Sequence, residues 1–555
     1  MNIATDINTS SSSTGIIGGN INLTAVDNIN GDLQAGDTNN DGGEINATAN
    51  NLNLTTITTN NNNINLNGAV NLTNNSRYST GATTGGNINF ASTIDGVGIL
   101  TLETGTGTIN FNGEIGSITP IGGLIIENTS NAVEISQNIT TNNGDLTFST
   151  PVIITTNPVT LSTGTGNITF NNQVDVTSST LTLISDSTIQ FPLSNSFTGS
   201  GGNLFILAAT PSQDIFLEPL STTSGLSIFN LNSINGFSQV AIGNSDSSLG
   251  NLTAGNIKVD NLTTFNNPAS LNTTGDLALN NNLTGTDNLT LSAGNIINNT
   301  TSSNPLVVNG TGILSLSVAN SVGGASNPLN LDIRQLNATL ISGDLFLNND
   351  SDLQLGASNV LGNANISAAG NITNLGAFTV GGNSTFTTTL SGSNINLSNL
   401  DVAGLINLST DFGGNINISS SSDLNLGTVN TGGELLATSA GDINTNGIIN
   451  GNGTDIILNA QDDINLGGNV INPGGLISLT SNAGSINGSS FDIDSSISSS
   501  SLSDTSSLLD GGDINLTATN NINLNQLNSS SDVGNGGDIT ATTSFGNIIL
   551  QTINT

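Results

Sequence analysis

The sequence predicts an all-β fold, a right-handed parallel β-helix with coils of about 20–25 residues, and three observations predict it. A Gly-Gly-x-Ile-x unit recurs along the chain. Inside each unit the apolar residues alternate with polar ones, as in Ile21, Leu23, Ala25 and again in Ile514, Leu516, Ala518. That is the two-residue period of a strand, and no stretch sustains the 3.6-residue period of a helix. Finally, charged residues make up only 8% of the 555 residues, against about 25% in an ordinary soluble domain.

The repeat is the dominant signal. It begins at Gly18-Gly19-Asn20-Ile21-Asn22-Leu23 and returns as GGEINATA (42–49), GGNINFAS (85–92), GGNINISS (413–420), GGDINLTA (511–518) and GGDITATT (536–543). Looser copies lie between, among them TGTINFNG (106–113), TGNITFNN (165–172), SGDLFLNN (342–349) and DDINLGGN (462–469). Each run is short and is bounded by Asn-Gly, Gly-Gly or Asp-Gly, which are turn signals. Short strands with one apolar face, closed by tight turns at a near-constant period, describe the coil of a solenoid. Residues 1–555 therefore read as a single solenoid, with lateral loops expected at 74–84 and 489–510. At about 4.8 Å per coil, some 25 coils would rise about 120 Å.

Composition supplies the reasons. Asn and Gly accept the left-handed backbone angles that coil corners need, and stacked Asn side chains can hydrogen-bond into ladders. Like charges stacked one coil apart repel by about 0.9 kcal/mol per neighbour even in water, so the outer faces favour uncharged polar groups. With 34% hydrophobic residues and 10 prolines, the chain does not carry the signature of disorder.

Function classes fall away by what is missing. There is no Cys and no His, hence no disulfide, no Cys- or His-ligated zinc, no Ser-His-Asp triad and no Cys-His pair. The net charge is −36 and the basic residues are Arg77, Lys258 and Arg334, a balance opposed to nucleic-acid binding. No apolar run is long enough for a transmembrane helix, and the segment after Met1 does not read as a signal peptide. The expectation is of a central piece of a longer exported protein.

No catalytic residue is predicted. Asp462 and Asp463 are neighbours in the chain and would point to opposite faces of a strand rather than form a glycosidase pair. Calcium is the one cofactor candidate: Asp37, Asn39 and Asp41 match the first half of an EF-hand-type loop, but Thr48 stands where the bidentate Glu should be. An Asx-rich turn is the competing reading. Arg77 and Tyr78 fall in the 74–84 loop and are expected to be an isolated pair there. TTITT (55–59) would suit an ice-binding face only if it stayed in register, and it drifts.

The GG-[ND]-I-N-[LF] units, together with LTLETGTGTINFNGEIG (100–116), VTLSTGTGNITFNNQV (159–174), GFSQVAIGNSDSSLGNLT (236–253) and LSLSVANSVGGASNPLNLDIRQLNATLISGDLFL (314–347), resemble the filamentous-haemagglutinin-like exoproteins of the two-partner secretion type, cyanobacterial-style members in particular. The resemblance implies a right-handed β-helix exported through an outer-membrane pore, secreted or held at the outer cell surface, and serving adhesion, aggregation or biofilm. Cell-surface glycans or proteins are the implied partners, and open end coils would favour end-to-end self-association. The family's N-terminal secretion domain has no counterpart in these residues. Two alternatives share the fold: a non-catalytic glycan- or calcium-binding module, and a polysaccharide-active β-helix enzyme.

Overall fold

A computed structural model describes residues 7–9, 18–36, 42–129, 131–156, 158–177, 179–193, 196–221, 223–243, 252–498 and 510–555. The chain divides into two compact units, Met1–Ala293 and Gly294–Thr555. Each is a parallel β-solenoid. Among the described residues the regular structure is strand, apart from one 3-10 turn at Leu231–Ser233.

In the first unit the alternation read from the sequence becomes three columns of inward side chains. One face stacks Ile21, Ile45, Ile64, Ile88 and Ile109. The next stacks Ile29, Leu52, Val70 and Ile94. The third stacks Leu33, Ile57, Tyr78, Leu102, Ile126, Phe148 and Phe170. All of these are buried. Phe148 and Phe170 lie ring on ring at 5.2 Å, and Phe90 on Phe111 at 5.3 Å, near the optimum for offset stacking. Each fully buried side chain of this size contributes about 1.5–3 kcal/mol, so the core is continuous rather than concentrated.

The second unit repeats the plan. One coil comprises Leu345–Asn349, Leu353–Leu355 and Ser358–Val360; the next Ala364–Ala368, Ile372–Asn374 and Phe378–Val380; the next Ser384–Thr388, Ile395–Leu397 and Leu400–Val402. Successive strands pair in register, Leu345 on Ala364 on Ser384 along the first face and Leu353 on Ile372 on Ile395 along the second.

Corners are closed by two devices. A buried hydroxyl at the end of a strand donates across the turn to a glycine carbonyl: Thr80 to Gly86 at 2.6 Å, Thr104 to Gly107 at 3.1 Å, Thr163 to Gly166 at 2.7 Å, Thr410 to Gly414 at 2.7 Å and Ser529 to Gly537 at 2.7 Å. The glycines themselves are required by close approach. A Cβ on Gly144 would lie 1.5 Å from the carbonyl oxygen of Gly122 in the adjacent coil.

Two expectations change here. The stretch 74–84 contains a strand, Ser76–Ser79, that belongs to the coil, with Arg77 in register between Thr56 and Thr101. Of 489–510, the residues up to Asp494 continue the strand Ile486–Asp494, and 499–509 lie outside the described residues. The sequence also gives no hint of an inversion in the first unit. Leu226–Phe229 pairs with Thr188–Gln190 beneath it, whereas Ile215–Leu217, earlier in the chain, lies above it and carries Ile257–Val259. Glu218 turns the chain at a left-handed φ of 51°. Its carboxylate accepts the backbone N–H groups of Asn230 at 3.1 Å and Leu231 at 2.6 Å. Burial pushes that carboxyl's pKa up, against the pull of those two bonds.

Gly144→Ala should destabilise the first unit by about 1–3 kcal/mol or more, since backbone must move to admit the methyl group. A thermal melt followed by circular dichroism in the far ultraviolet checks this, and an unchanged midpoint would refute the close stacking.

Candidate functional site

The outer faces carry the polar chemistry, and most of it is spent on the fold. In the first unit Asn46 donates its amide to Asn22 at 2.8 Å, Asn65 to Asn46 at 2.7 Å, Asn89 to Asn65 at 2.7 Å and Asn110 to Asn89 at 2.6 Å, across steps of 24, 19, 24 and 21 residues. This explains the second Asn of the GG-[ND]-I-N unit. The first Asn or Asp acts differently. Its side-chain oxygen accepts a backbone N–H from the next coil, as Asn63 does from Asn87 at 2.8 Å and Asn87 from Thr108 at 2.9 Å.

Two of the three cations are likewise spent. Arg77 bonds Glu103 at 2.8 Å and Glu127 at 3.0 Å. Glu127 and Glu103 are register partners in adjacent coils, so one guanidinium offsets a stacked pair of like charges. The bond to Glu127 raises the arginine's pKa against the opposing effect of burial, with Glu103 adding to the rise. Tyr78 is fully buried between Ile57 and Leu102, and its hydroxyl donates to the carbonyl of Leu54 at 2.8 Å. Burial drives the phenol's pKa far up. The expectation that these two residues form an isolated pair in a loop is therefore corrected: alternate strand positions send one into the core and the other onto an acidic column. Lys258 bonds Asp214 at 3.0 Å and lies 4.7 Å over the ring of Phe216. Burial alone would raise the Asp214 carboxyl; hydrogen bonds from Lys258 and the backbone of Asn256 outweigh it and hold it below its usual range.

The other predicted positions divide. Asp37, Asn39 and Asp41 lie outside the described residues. Asp462 and Asp463 sit at a corner ahead of the strand Ile464–Leu466. Asp423, Asp442 and Asp463 form a column in which each carboxylate accepts the next backbone N–H, ending on Ser485 at 2.6 Å. Among the described residues no group of three or more acidic side chains is arranged to hold a metal ion. Thr56 of the TTITT stretch is followed in register by Arg77 and Thr101, so the threonine face does not persist.

One outer surface is different. In the second unit a groove of about 320 Å³ is lined by Arg334, Asp352, Leu353, Gln354, Asn371, Thr373, Asn394 and Asn396. Its wall is a column of the kind just described, Asn371 accepting from Asn394 at 2.9 Å and Asp352 from Asn371 at 2.7 Å. Its floor is the row Gln354, Thr373 and Asn396. Sequence reasoning missed this row, whose only signal was the break that Thr373 makes in an Asn pattern.

These features define a repeat protein of the β-solenoid class. A family model described as repeats of unknown function (DUF5649) matches residues 342–409 and 413–480. No curated protein and no solved structure matches the chain. The two matched segments align with an offset of 71 residues between their starts, 342 and 413: SDLQLGASN (351–359) falls on SDLNLGTVN (422–430), and AGNIT (369–373) on AGDIN (440–444). In space the copies do not share faces. Leu345 corresponds to Ile416, yet Ile416 continues the second face, beneath Ile395. Ser358 corresponds to Val429, which continues the first face through Leu408. The repeat advances by one face from one copy to the next.

Tyr78→Phe should cost about 1 kcal/mol, because the buried Leu54 carbonyl loses one of its two side-chain donors, the Ser76 hydroxyl at 3.1 Å remaining, while the ring still packs; equilibrium denaturation measures it. Asp214→Asn should lower stability at pH 7 by at most about 1 kcal/mol, the ceiling for a partly exposed pair. The folded-state pKa of Asp214 lies below its ordinary 3.8, so its contribution is complete above that value and is lost as pH falls through the lower folded one. Wild-type and variant melting curves should therefore converge below pH 3.8.

Proposed function

We propose that this chain is a structural, adhesive rod of a bacterial surface-exposed or secreted protein of the filamentous-haemagglutinin-like type, acting without catalysis. The observation that carries the reading is the continuity of the stacked columns in each unit. Inward aliphatic side chains and outward amide ladders repeat coil after coil, so stiffness is built from identical local contacts. The motif resemblance supports the surface placement, and the repeat-family match supports a repetitive design. No described helix is long and apolar enough to cross a membrane. An outer-membrane secretion pore is the expected export partner.

Antibodies raised against the purified chain should label intact, unpermeabilised cells of the producing bacterium, and deletion of the gene should abolish that labelling and reduce aggregation or surface attachment. Labelling confined to permeabilised cells would refute the placement. An unaltered attachment phenotype would refute the adhesive role.

A further inference from the structure

We infer that the groove beside Arg334 binds a linear polysaccharide carrying carboxylate groups, laid along the solenoid axis with one carboxylate on the guanidinium. The inference goes beyond the rod role and needs only the purified protein.

Four outward positions of the second face, Gln354, Thr373, Asn396 and Asn417, follow one another in register. Among the described contacts their side chains make no hydrogen bond within the protein, so their donors and acceptors are free for a ligand. The same repeat position in the second copy serves as an internal control. There Gln354 corresponds to Asn425 and Thr373 to Asn444, and the row is closed: Asn444 donates to Asn425 at 3.0 Å, Asn465 to Asn444 at 2.9 Å and Asn487 to Asn465 at 2.9 Å. Thr373 has no amide to pass on, and the amides of Asn396 and Asn417, although in register, are not bonded to each other among the described contacts, so the row stays open. One copy's row is thus consumed by the fold and the other's is open, inside a single repeat family.

The groove holds one guanidinium and one carboxylate, and that carboxylate, Asp352, is engaged by the backbone N–H and side-chain amide of Asn371, which leaves the guanidinium to meet a ligand. Arg334 is the basic residue of the second unit. It is exposed and, unlike Arg77 and Lys258, makes no ion pair among the described residues. An arginine fork suits a carboxylate through two parallel N–H···O bonds. A single cation in a chain of net charge −36 disfavours densely charged polyanions such as nucleic acid, which need clustered basic residues. It fits a chain of hydroxyls with an acid group at intervals. Polar side chains presented every ~4.8 Å match the advance of one ring in an extended glycan, and a groove of about 320 Å³ lies at the small end of the range for ligand sites.

The test is calorimetric titration of the purified full chain with an oligogalacturonate, a neutral glucan and a sulfated glucan. Oligogalacturonate should bind, and the neutral glucan should bind at least about tenfold more weakly, the loss expected for one charge-assisted contact. Arg334→Gln should weaken oligogalacturonate binding by a similar factor. Thr373→Asn, which places an amide between Gln354 and Asn396 as Asn444 stands between Asn425 and Asn465, should weaken it too while leaving the melting temperature unchanged or higher, so loss of binding cannot be ascribed to misfolding. No heat with oligogalacturonate at millimolar concentration, an affinity unchanged from wild type in either variant, or a sulfated glucan bound as tightly with or without Arg334 would each overturn the proposal. None of these results touches the surface placement, which stands or falls on labelled cells.

Discussion

Every feature of this protein answers to one constraint: each residue sits one strand spacing above and below a residue of the same role. Antiparallel folds can vary neighbours freely, but a parallel coil puts like on like. Inside, that rewards columns of Ile, Leu and Val and stacks of Phe. Outside, it penalises charge and rewards a group that both donates and accepts. Asparagine is such a group, which is why the ladder from Asn22 to Asn110 runs unbroken across coils of unequal length. Where Glu103 and Glu127 stack, a cation bonds both, and where Asp423, Asp442 and Asp463 stack, each carboxylate accepts a backbone N–H of the next coil instead.

Much of this was legible in the chain. The two-residue alternation identified the strands, the Gly-Gly and Asn-Gly pairs identified the corners, and the scarcity of charge implied stacking. What escaped were interactions set by position in a coil rather than by local pattern. Tyr78 and Arg77 read as a loop pair because polar residues surround them, yet their register with Ile57 and Thr56 fixes one inside and one outside. The buried corner threonines look like any other threonine of a Thr-rich chain. The Gln354–Thr373–Asn396 row is visible only once the coils are aligned, since its members are far apart in sequence.

The advance of the repeat by one face has a bearing on how such a protein presents itself. A sequence repeat in step with the coils would place every copy of a surface feature on one side. Here the second copy turns its equivalent row to another face, so substitutions confined to one copy, such as Thr373 in place of an asparagine, give that face a character of its own. Diversity of surface thus arises from small departures within a uniform scaffold.

The inverted pair Ile215–Leu217 and Leu226–Phe229 gives the first unit a direction in time. Ile215–Leu217 comes first along the chain, but its seat on the stack exists only after Leu226–Phe229 has slotted beneath it. Coil-by-coil winding must therefore pause there until Leu226–Phe229 is in place, with the apolar Ile215 and Leu217 unburied meanwhile.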